Sequence, residues 1–533
     1  MHCRLALALA GLAAACSKPD PLYCDESTPC DDPELPFCDL EGAYPASDGI
    51  SHTCIAEPSF TVSLDDDDAQ VRITGELEIE VEVDRVDDFP GDITITAADL
   101  PAGASAEPLT IPDGATTGTL VIQAADSDPG AVADARVVAT AGPIESAADL
   151  HLLVLGPAGT LDPTFGTDGL AGQPGGTGMD DSTLLMHLAG GGYIVGGAST
   201  DHSAGVLVRF SEAGELDEDF GAGGWTEVDL DGTAVDPSGN ILFAGRPDDT
   251  IVLAQGSGTG DIVLVAVTAD AERDATFGDG GIVADTIAGG VILGVVQAAA
   301  APDGDILVAM AASTVPDLIY VVRYKADGQR DPTFASDGRL ELDRGDSPTV
   351  TRLSVLTDGS VLVVGSAVNG TREQFIVKLT PNGLVDSDYG DGGEPVLPAG
   401  WEVGDAQVDP DGRWLAGGSV DDIPAFFRLT AKGEIDATFG ADGALLMAVP
   451  EGQTGFVRVV LSGEDDAVGV GSPDVTMARL VDGELDTSFG EGGTAYFDLD
   501  LAQAVRAVRL ADRRIVVLSD IDALPFVLAR FFE

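Results

Sequence analysis

One short phrase recurs seven times in this chain, at intervals of 50 to 57 residues. Its second residue is always Asp, its fifth is aromatic, and one or two Gly follow within three residues of its end. The copies are Leu161–Gly166, Leu216–Gly221, Arg273–Gly278, Arg330–Ala335, Val385–Gly390, Ile435–Gly440 and Leu485–Gly490. A fixed period of this size is typical of propellers and solenoids. The repeat therefore predicts a scaffold whose activity lies on its loops or its axis.

Each repeat also carries the landmarks of β-strands. A Gly-containing turn, often Asp-Gly, precedes an apolar run, as at Asp303 before Ile306–Ala309. Asp-Gly suits the positive φ angles of a tight hairpin, and the run after it fits a buried strand. A second apolar run then ends in a cation, as at Arg209. With two more strands between these landmarks, each repeat has the content of one propeller blade. The sequence predicts an all-β chain in which residues 157–533 form a seven-bladed β-propeller.

The two ends of the repeat array predict how the ring closes. The last strand, Pro525–Arg530, ends three residues before the C-terminus. Leu150–Leu155 precedes the first phrase, in the place that a strand ending in a cation occupies before later phrases. Because seven units are complete without it, we expect Leu150–Leu155 to belong to the preceding domain. The C-terminal strand should then lie beside the start of the first unit and complete a blade's final strand.

Together, the phrase, the Asp-Gly hairpin and the strand that ends in Arg resemble the delta-60 repeat, a bacterial family with a similar period. The resemblance covers residues 157–533. It implies the repeat architecture, and it implies no activity because the family carries no established reaction. The chain departs from the pattern at Ala266, where other units have Arg or Lys, and at Ala335, where the phrase ends without Gly.

The repeated Asp has two interpretations. The seven residues are Asp162, Asp217, Asp274, Asp331, Asp386, Asp436 and Asp486. In the structural one, Asp caps a turn while the aromatic residue packs between blades. In the other, seven carboxylates form a ring that binds cations. The structural interpretation is favoured because repeats recur for packing more often than for chemistry. In five copies an Arg or Lys lies seven or eight residues before the Asp, which predicts an ion pair at each of those junctions.

The first residues predict export. A basic start is followed by the apolar run Leu5–Ala15, which is too short to span a bilayer. Residues 1–15 therefore predict a signal peptide, and the sequence Ala13-Ala-Ala-Cys16 resembles a bacterial lipobox. A lipidated Cys16 would anchor the mature chain to the membrane as an outer-membrane or cell-surface lipoprotein. The alternative is plain secretion after cleavage nearby.

Four further cysteines lie within the predicted stalk, residues 16–57. They are Cys24, Cys30, Cys38 and Cys54. An even number of cysteines in an exported chain predicts two disulfides, for which three pairings are open. A zinc site is the alternative, but the Cys-x-x-Cys spacing that it favours is missing. The order of lipobox, Cys-rich segment and repeat domain is similar to that of predicted surface lipoproteins of myxobacteria.

Residues 58–156 have a different pattern. Glu76–Asp84 alternates acidic and apolar residues without a break, which predicts a strand with one buried face. Further strands are predicted at Phe60–Leu64, Asp92–Thr96, Gly118–Ala124, Ala135–Ala141 and His151–Leu155. Short strands at this spacing predict an immunoglobulin-like sandwich, with a spacer role favoured over ligand binding.

Charge limits the partners. The chain has 26 Lys plus Arg against 91 Asp plus Glu, for a net charge of −65. Such an acidic protein repels nucleic acid, so no nucleic-acid partner is expected. Calcium remains a hypothesis, although neither the acidic run Asp65–Asp68 nor Asp386–Glu394 has the ligand spacing of an EF-hand loop. No other cofactor is predicted.

No catalytic motif is present. The five histidines all lie before residue 203, and no HExxH, GxSxG or phosphate-binding GxxxxGK[ST] sequence occurs. The sequence favours a non-enzymatic binding scaffold for a protein or polysaccharide ligand. The alternative is an extracellular propeller enzyme acting on polysaccharide or a small substrate. An enzyme should cluster irregular polar residues at the axis, whereas a scaffold should spread them over a rim. The irregular residues singled out are spread over four units, which favours binding: His202, Trp225, Arg372, Trp401 and Trp414.

Overall fold

The computed structural model describes most of the chain. The described residues are 37–39, 53–55, 59–86, 89–172, 178–230, 241–256, 260–287, 291–292, 297–356, 358–370, 372–409, 411–447, 455–461, 466–472, 475–497, 503–521 and 524–533. All regular elements in them are β-strands, so the predicted all-β class is confirmed. The chain divides into two units, residues 1–156 and 157–533.

The first unit contains eleven described strands. They are β1 (Phe37–Asp39), β2 (Thr53–Ile55), β3 (Phe60–Leu64), β4 (Asp68–Arg72), β5 (Glu76–Arg85), β6 (Ile93–Ala98), β7 (Ser105–Ala106), β8 (Leu109–Ile111), β9 (Thr117–Gln123), β10 (Val132–Ala141) and β11 (Ile144–Leu155). One sheet has the order β4-β11-β10-β6-β8 and another the order β3-β5-β9-β7. Strands β1 and β2 pair separately, with Cys38 opposite Cys54.

The two larger sheets of the first unit share one hydrophobic core. Strand β5 alternates exposed Glu with buried Ile79, Val81 and Val83, as its sequence predicted. These side chains pack with Val137 and Leu152 of the other sheet. Because β11 pairs with β10 and β4, the assignment of Leu150–Leu155 to this unit is confirmed.

The second unit begins with β12 (Leu170–Gly172) and continues with three sheets. Sheet 1 contains β13 (Met179–His187), β14 (Tyr193–Ser199), β15 (Ala204–Phe210) and β16 (Trp225–Asp229). Sheet 2 contains β17 (Leu242–Gly245), β18 (Ile251–Gly256), β19 (Asp261–Val267) and β20 (Ile282–Thr286). Sheet 3 contains β21 (Val291–Ile292), β22 (Gln297–Ala300), β23 (Ile306–Ser313), β24 (Leu318–Tyr324) and β25 (Arg339–Leu342).

Four more sheets follow. Sheet 4 contains β26 (Asp346–Val355), β27 (Val361–Val368) and β28 (Arg372–Leu379). Sheet 5 contains β29 (Trp401–Val408), β30 (Trp414–Val420), β31 (Ile423–Leu429) and β32 (Ala444–Leu446). Sheet 6 contains β33 (Gly455–Leu461), β34 (Ala467–Ser472), β35 (Val475–Val481), β36 (Glu484–Leu485) and β37 (Thr494–Phe497). Sheet 7 contains β38 (Gln503–Arg509), β39 (Arg514–Ile521), β40 (Leu524–Phe532) and, from the start of the unit, β12.

Strand β12 joins the two ends of the second unit. It pairs antiparallel with β40, with Leu170 opposite Ala529 and Gly172 opposite Val527. The predicted position of the C-terminal strand beside the start of the array is therefore confirmed. One detail of that prediction was wrong. The C-terminal strand was predicted to be the final strand of its blade, but β40 is the third strand of its sheet and β12 is the fourth. The reason is that each phrase forms the turn between the third and fourth strands, so the fourth strand lies beyond the phrase in sequence.

Seven apolar clusters connect the seven sheets in a cycle. Each cluster takes side chains from two successive sheets and contains the aromatic residue of one phrase. The cluster around Phe165 contains Phe526 and Leu528 of sheet 7 together with Tyr193 and Val208 of sheet 1. Since this cluster joins the last sheet to the first, the sheets close on themselves and their first strands surround a common axis.

Candidate functional site: charged side chains on the axis

The first strand of a sheet is irregular at the same level in five sheets. In each, one residue is skipped in the register with the second strand, as a β-bulge does. The skips fall between Ser182 and Leu184, Val350 and Arg352, Val403 and Asp405, Phe456 and Arg458, and Ala504 and Arg506. A bulge interrupts the in-and-out alternation of a strand and redirects the side chains beside it. The residue after each skip is therefore the natural place for a side chain that departs from the packing pattern.

Four successive sheets carry a charged residue at this position. Sheets 4 to 7 have Arg352, Asp405, Arg458 and Arg506, whereas sheet 1 has Leu184. Among the five described bulges, the charged residues are thus those of sheets 4 to 7. Sequence analysis missed this group. The sequence does mark this shared position, because Arg352, Asp405 and Arg506 each lie six residues before the Asp of a hairpin turn.

A cavity of about 340 Å³ opens on the axis beside these residues. Pockets of a few hundred Å³ are of the size that binds small molecules. Arg352, Arg458 and Arg506 line it, with Thr183, Gln297 and Thr351 as uncharged polar neighbours. The other described lining residues are apolar or small, and none of the described lining residues is a carboxylate. The charged residues of the described lining are therefore three arginines, in a chain of net charge −65.

Asp405 holds one of the three arginines in place. Its Oδ1 lies 2.7 Å from Nη2 of Arg352, and its side chain is 1% exposed. Its Oδ2 accepts a hydrogen bond from the backbone N–H of Val459 at 3.0 Å. The carboxylate is thus fixed between sheets 5 and 6 and faces an arginine, so it is poorly placed to act as a general acid or base.

The other two arginines lie in an environment that disfavours their charge. Burial, together with repulsion from Arg352 and Arg506, holds the pKa of Arg458 well below its usual range. Burial and Arg352 also lower the pKa of Arg506 to about 10. Asp405 acts in the opposite direction on both groups, and Asp520 does so on Arg506. The three guanidinium groups are close enough that like-charge repulsion contributes to these lowered pKa values.

The seven repeated Asp residues lie elsewhere, one at each junction between sheets. Each accepts a hydrogen bond from the backbone N–H two residues further on. These donors are Thr164, Asp219, Thr276, Thr333, Asp388, Thr438 and Ser488. This contact is that of an Asx turn. The structure therefore does not bring the seven carboxylates together in one place.

Five of these Asp residues form the ion pairs that the spacing predicts. The partners of Asp217, Asp331, Asp386, Asp436 and Asp486 are Arg209, Arg323, Lys378, Arg428 and Arg479. In four of the five, the cation also lies over the aromatic ring of the same phrase, as Arg209 does over Phe220 at 4.7 Å. One cation thus connects the turn to the apolar cluster beneath it.

The remaining two junctions differ from the other five. Asp162 pairs with Arg530 at 2.8 Å and with Arg514 at 3.0 Å, across the closure of the ring. Sequence analysis missed this pair because Arg530 follows Asp162 by 368 positions. At Asp274 the expected cation is replaced by Ala266. There Arg246 of the neighbouring hairpin lies over Phe277 at 5.2 Å, which restores the cation–ring contact from another position.

The remaining predicted site residues contribute nothing to the described cavity. His202, Trp225, Trp401 and Trp414 lie outside its described lining, and the side chain of Arg372 lies outside the described residues. Cys16, Cys24 and Cys30 lie outside the described residues, while Cys38 and Cys54 are opposite each other in β1 and β2.

The described residues lack two further features. No group of three or more His, Cys, Asp or Glu that could hold a metal ion occurs in them. They also contain no helix with the length and hydrophobicity to cross a membrane.

A family model described as "Domain of unknown function (DUF5122) beta-propeller" matches residues 301–334, 356–389 and 410–439. Each match begins at the turn after a first strand and ends at or near the phrase, in three successive repeats. The match supports a β-propeller repeat. No curated protein matches the chain significantly.

Solved structures with some likeness include two enzymes. One is prolyl oligopeptidase B from Galerina marginata, at 9% identity and a TM-score of 0.33, covering 80% of this chain and 54% of that chain. The other is MPT-4, a mannose phosphorylase from Leishmania mexicana, at 11% identity and a TM-score of 0.27, covering 68% of this chain and 87% of that chain. This chain thus spans little more than half of the oligopeptidase, and likenesses at these scores carry no argument about activity.

Proposed function

We propose that this protein is an exported, lipid-anchored binding scaffold, with a seven-bladed β-propeller that holds its ligand in the axial cavity. The observation that carries the proposal is the cavity itself, with charged side chains at one level on four successive first strands. A packed propeller needs no charge at its axis, and burying guanidinium groups there carries a desolvation cost. Functional sites are where such costs are tolerated.

The seven blades are supported by the cycle of clusters. Each of the seven sheets shares one cluster with the sheet before it and one with the sheet after it. The pairing of β12 with β40 supplies the outer strand of sheet 7 from the other end of the unit. This arrangement leaves no unpaired end of the array, as in closed propellers.

The N-terminal part is proposed to act as anchor and spacer. Lipidated Cys16 would hold the chain at the outer membrane or cell surface, and a disulfide-stapled stalk would follow it. The stalk is supported by the register that sets Cys38 opposite Cys54, and by the engagement of Cys38 in a disulfide. The two sheets with one shared core support an immunoglobulin-like spacer at residues 58–156.

An enzyme acting on polysaccharide or a small substrate is the second candidate. The observation in its favour is that irregular polar residues do cluster at the axis, as an enzyme requires. The chemistry of the cluster favours binding instead. Glycoside hydrolysis uses two carboxyl groups that face the substrate. The described lining offers arginines, and Asp405 is occupied by Arg352.

The test separates binding from turnover. The purified chain is incubated with a panel of small molecules and short polysaccharides, and each compound that raises the melting temperature is recovered and analysed by mass spectrometry. A scaffold returns its ligand chemically unchanged after prolonged incubation. A compound that is converted, with the conversion lost in Arg506→Gln, would instead establish the enzyme.

The anchor is tested separately, because binding in the cavity does not depend on it. In the native host, Cys16→Ser should release the chain from the membrane fraction, with a non-lipobox cysteine variant, Cys24→Ser, as the control. An unchanged membrane fraction for Cys16→Ser would contradict lipidation.

A further inference from the structure

We infer that the outer edge of sheet 4 is an interaction surface, which binds an extended, basic peptide segment of another protein as the fourth strand of that sheet. This surface is separate from the axial cavity, so the inference goes beyond the proposed function. It begins from a difference between the repeats. The other six sheets each have a strand paired outside their third strand, whereas sheet 4 ends at β28 in the part of the chain that the structure describes.

Two prolines account for the missing strand. Sheet 4 follows the other repeats as far as Gly393, whose carbonyl accepts a hydrogen bond from the N–H of Lys378 at 2.9 Å. The next residues include Pro395 and Pro398, and residues 395–400 form no strand. Proline has no N–H to donate to a ladder, so a fourth strand cannot continue past this point.

The main chain of β28 is left with an open edge. Ile376 lies two places before Lys378, where sheet 1 has Leu207 paired with Thr226 of its fourth strand. All six other sheets have a pair at this position. At Gln374 and Ile376, the N–H and C=O groups that would face a fourth strand have no backbone partner among the described residues. Such a row of groups is a template for a further strand.

Exposure shows where this edge is accessible. The residues four places before the cation of the third strand, or before Ala266 in sheet 2, are buried in the other six sheets: Gly205, Ile262, Ile319, Pro424, Val475 and Phe526. In sheet 4 this residue is Gln374, and it is exposed. Its side-chain amide donates to the carbonyl of Val403 at 2.9 Å and accepts from its N–H at 2.8 Å, which fixes this end of β28 against sheet 5. Ile376 is 4% exposed, so the accessible edge begins at Gln374.

The chemistry of a strand edge selects its occupant. Only an extended main chain matches the spacing of the N–H and C=O groups of another strand, so the partner is an extended peptide. It pairs with Gln374 directly, and with Ile376 once Pro395 moves aside. Val396 is 69% exposed beside this edge, where sheet 1 has Glu227, and it offers a contact for an apolar side chain of the peptide.

Charge favours a basic peptide. Asp421 and Asp422 are exposed, and their turn lies beside the segment that leaves the edge, because the N–H of Asp421 donates to the carbonyl of Gly400 at 2.8 Å. The chain as a whole has a net charge of −65. An acidic peptide is repelled by such a surface, and Lys or Arg side chains are attracted to it. The same repulsion disfavours a second copy of this chain as the occupant.

The test offers a synthetic strand to the full chain in mild detergent. The probe is a fluorescently labelled peptide of residues 224–230, which contain the fourth strand of sheet 1, with Glu227→Lys and Asp229→Lys. Binding is measured by fluorescence anisotropy at constant ionic strength. We expect saturable binding of this basic peptide, and binding at least tenfold weaker for the same peptide with its natural Glu and Asp.

N-methylated peptides test whether the main chain is recognised. In sheet 1, the N–H of Arg209 donates to the carbonyl of Gly224, so by the alternation of antiparallel pairs the N–H of Thr226 faces the third strand and that of residue 227 faces away. A methyl group on the nitrogen of Thr226 should therefore weaken binding tenfold or more. The matched peptide with a methyl group on the nitrogen of residue 227 should bind nearly as well as the unmethylated probe.

Restoring the missing strand should close the surface. The double change Pro395→Thr and Pro398→Asp gives sheet 4 the residues that sheet 1 has at these positions, and it returns the N–H that faces β28. This variant should bind the probe at least tenfold more weakly, because its own strand then occupies the edge. Pro108→Thr, at an exposed position of the first unit, should bind like the parent chain.

Hydrogen–deuterium exchange locates the surface without a variant, so the test stands even if the double variant fails to fold. Bound peptide should slow exchange in residues 372–379 and leave Ala204–Phe210 of sheet 1 unchanged. The inference is overturned by absence of saturable binding, by equal affinities of the two methylated peptides, or by slowed exchange confined to other strands. Undiminished binding by the folded double variant also contradicts it. A dimer of the chain that the peptide dissociates, seen by sedimentation velocity, would assign the edge to a second copy instead.

Discussion

Replacing Asp162 by Asn should destabilise the second unit far more than the same change in any exposed phrase. Asp162 is 0% exposed, and its Oδ2 lies 2.8 Å from Nε of Arg530 and 3.0 Å from Nη1 of Arg514. Burial alone would raise the pKa of Asp162, but Arg530 and the hydrogen bonds from Thr164 outweigh burial and lower it. Asn preserves the shape of the side chain and removes the charge, so Arg530 loses its nearest carboxylate and Arg514 keeps only its pair with Asp512 and a distant Glu212.

The expected cost follows from that loss. Removing one partner of a buried ion pair typically costs about 3 to 5 kcal/mol. Asp274 provides the matched control, because it makes the same contacts to its turn and has Ala266 where other junctions have a cation. Its Oδ1 accepts hydrogen bonds from N and Oγ1 of Thr276 at 3.0 and 2.6 Å, as Asp162 does from Thr164. Asn at 274 keeps an accepting oxygen, so Asp274→Asn should cost about 1 kcal/mol or less.

The assay is equilibrium unfolding in urea, followed by tryptophan fluorescence. The chain has three Trp residues, Trp225, Trp401 and Trp414, and all lie in the second unit, so the signal reports on the ring alone. We expect the free energy of unfolding to fall by about 3 kcal/mol for Asp162→Asn and by less than about 1 kcal/mol for Asp274→Asn. Equal losses in the two variants would show that the pairing of Asp162 with the C-terminal strand does not stabilise the closed ring.

Other predictions concern the same closure and its polar surroundings. Deleting residues 522–533 removes β40 and exposes the apolar strand Ile515–Leu518, so it should lower the melting temperature and broaden the transition; an unchanged transition would contradict closure through β40. The pair of His187 and Glu212, 2.9 Å apart, should give a stability maximum at mildly acidic pH. The hydrogen bond to Glu212 raises the pKa of His187, so its contribution is complete below the unfolded value of 6.5 and is lost as the pH rises through the folded pKa. Hydrogen bonds from His187 and Gly192 outweigh burial and lower the pKa of Glu212 to about 2, so its contribution is complete above 4.5 and is lost as the pH falls toward 2. His187→Gln should remove the decline on the alkaline side, as measured by thermal unfolding between pH 4 and 9, and a decline that persists in this variant would assign it to another group.

The strand-rich repeat and its ends could be predicted because they depend on local sequence. The alternation of Glu76–Asp84 and the place of Leu150–Leu155 were both visible in the order of apolar and polar residues. The ion pairs of five phrases could also be predicted, since both partners lie within one hairpin and its turn.

The spacing of Arg352, Asp405 and Arg506 to the Asp of a hairpin turn marks a shared position in the repeat, but it does not show that these residues meet, because they do so only after the sheets are placed around an axis. Arg352 and Arg506 are far apart in sequence, and a bulge in each first strand decides that their side chains leave the regular packing pattern. In the sequence each resembles an ordinary charged residue of an alternating strand. The replacement of the missing cation at Ala266 by Arg246 has the same origin, since it depends on how one hairpin packs against the next phrase.

Anomalous diffraction from bromide is the most direct test of a cationic site on the axis. Crystals of the full chain soaked in sodium bromide should show an anomalous peak in the axial cavity, within hydrogen-bonding distance of Arg458 and Arg506. A surface with 26 basic against 91 acidic residues should bind few other bromide ions, so this peak should be among the strongest. Crystals of Arg506→Gln should lose or weaken it. A cavity without a peak in crystals that bind bromide elsewhere, or a peak unaffected by Arg506→Gln, would contradict the account.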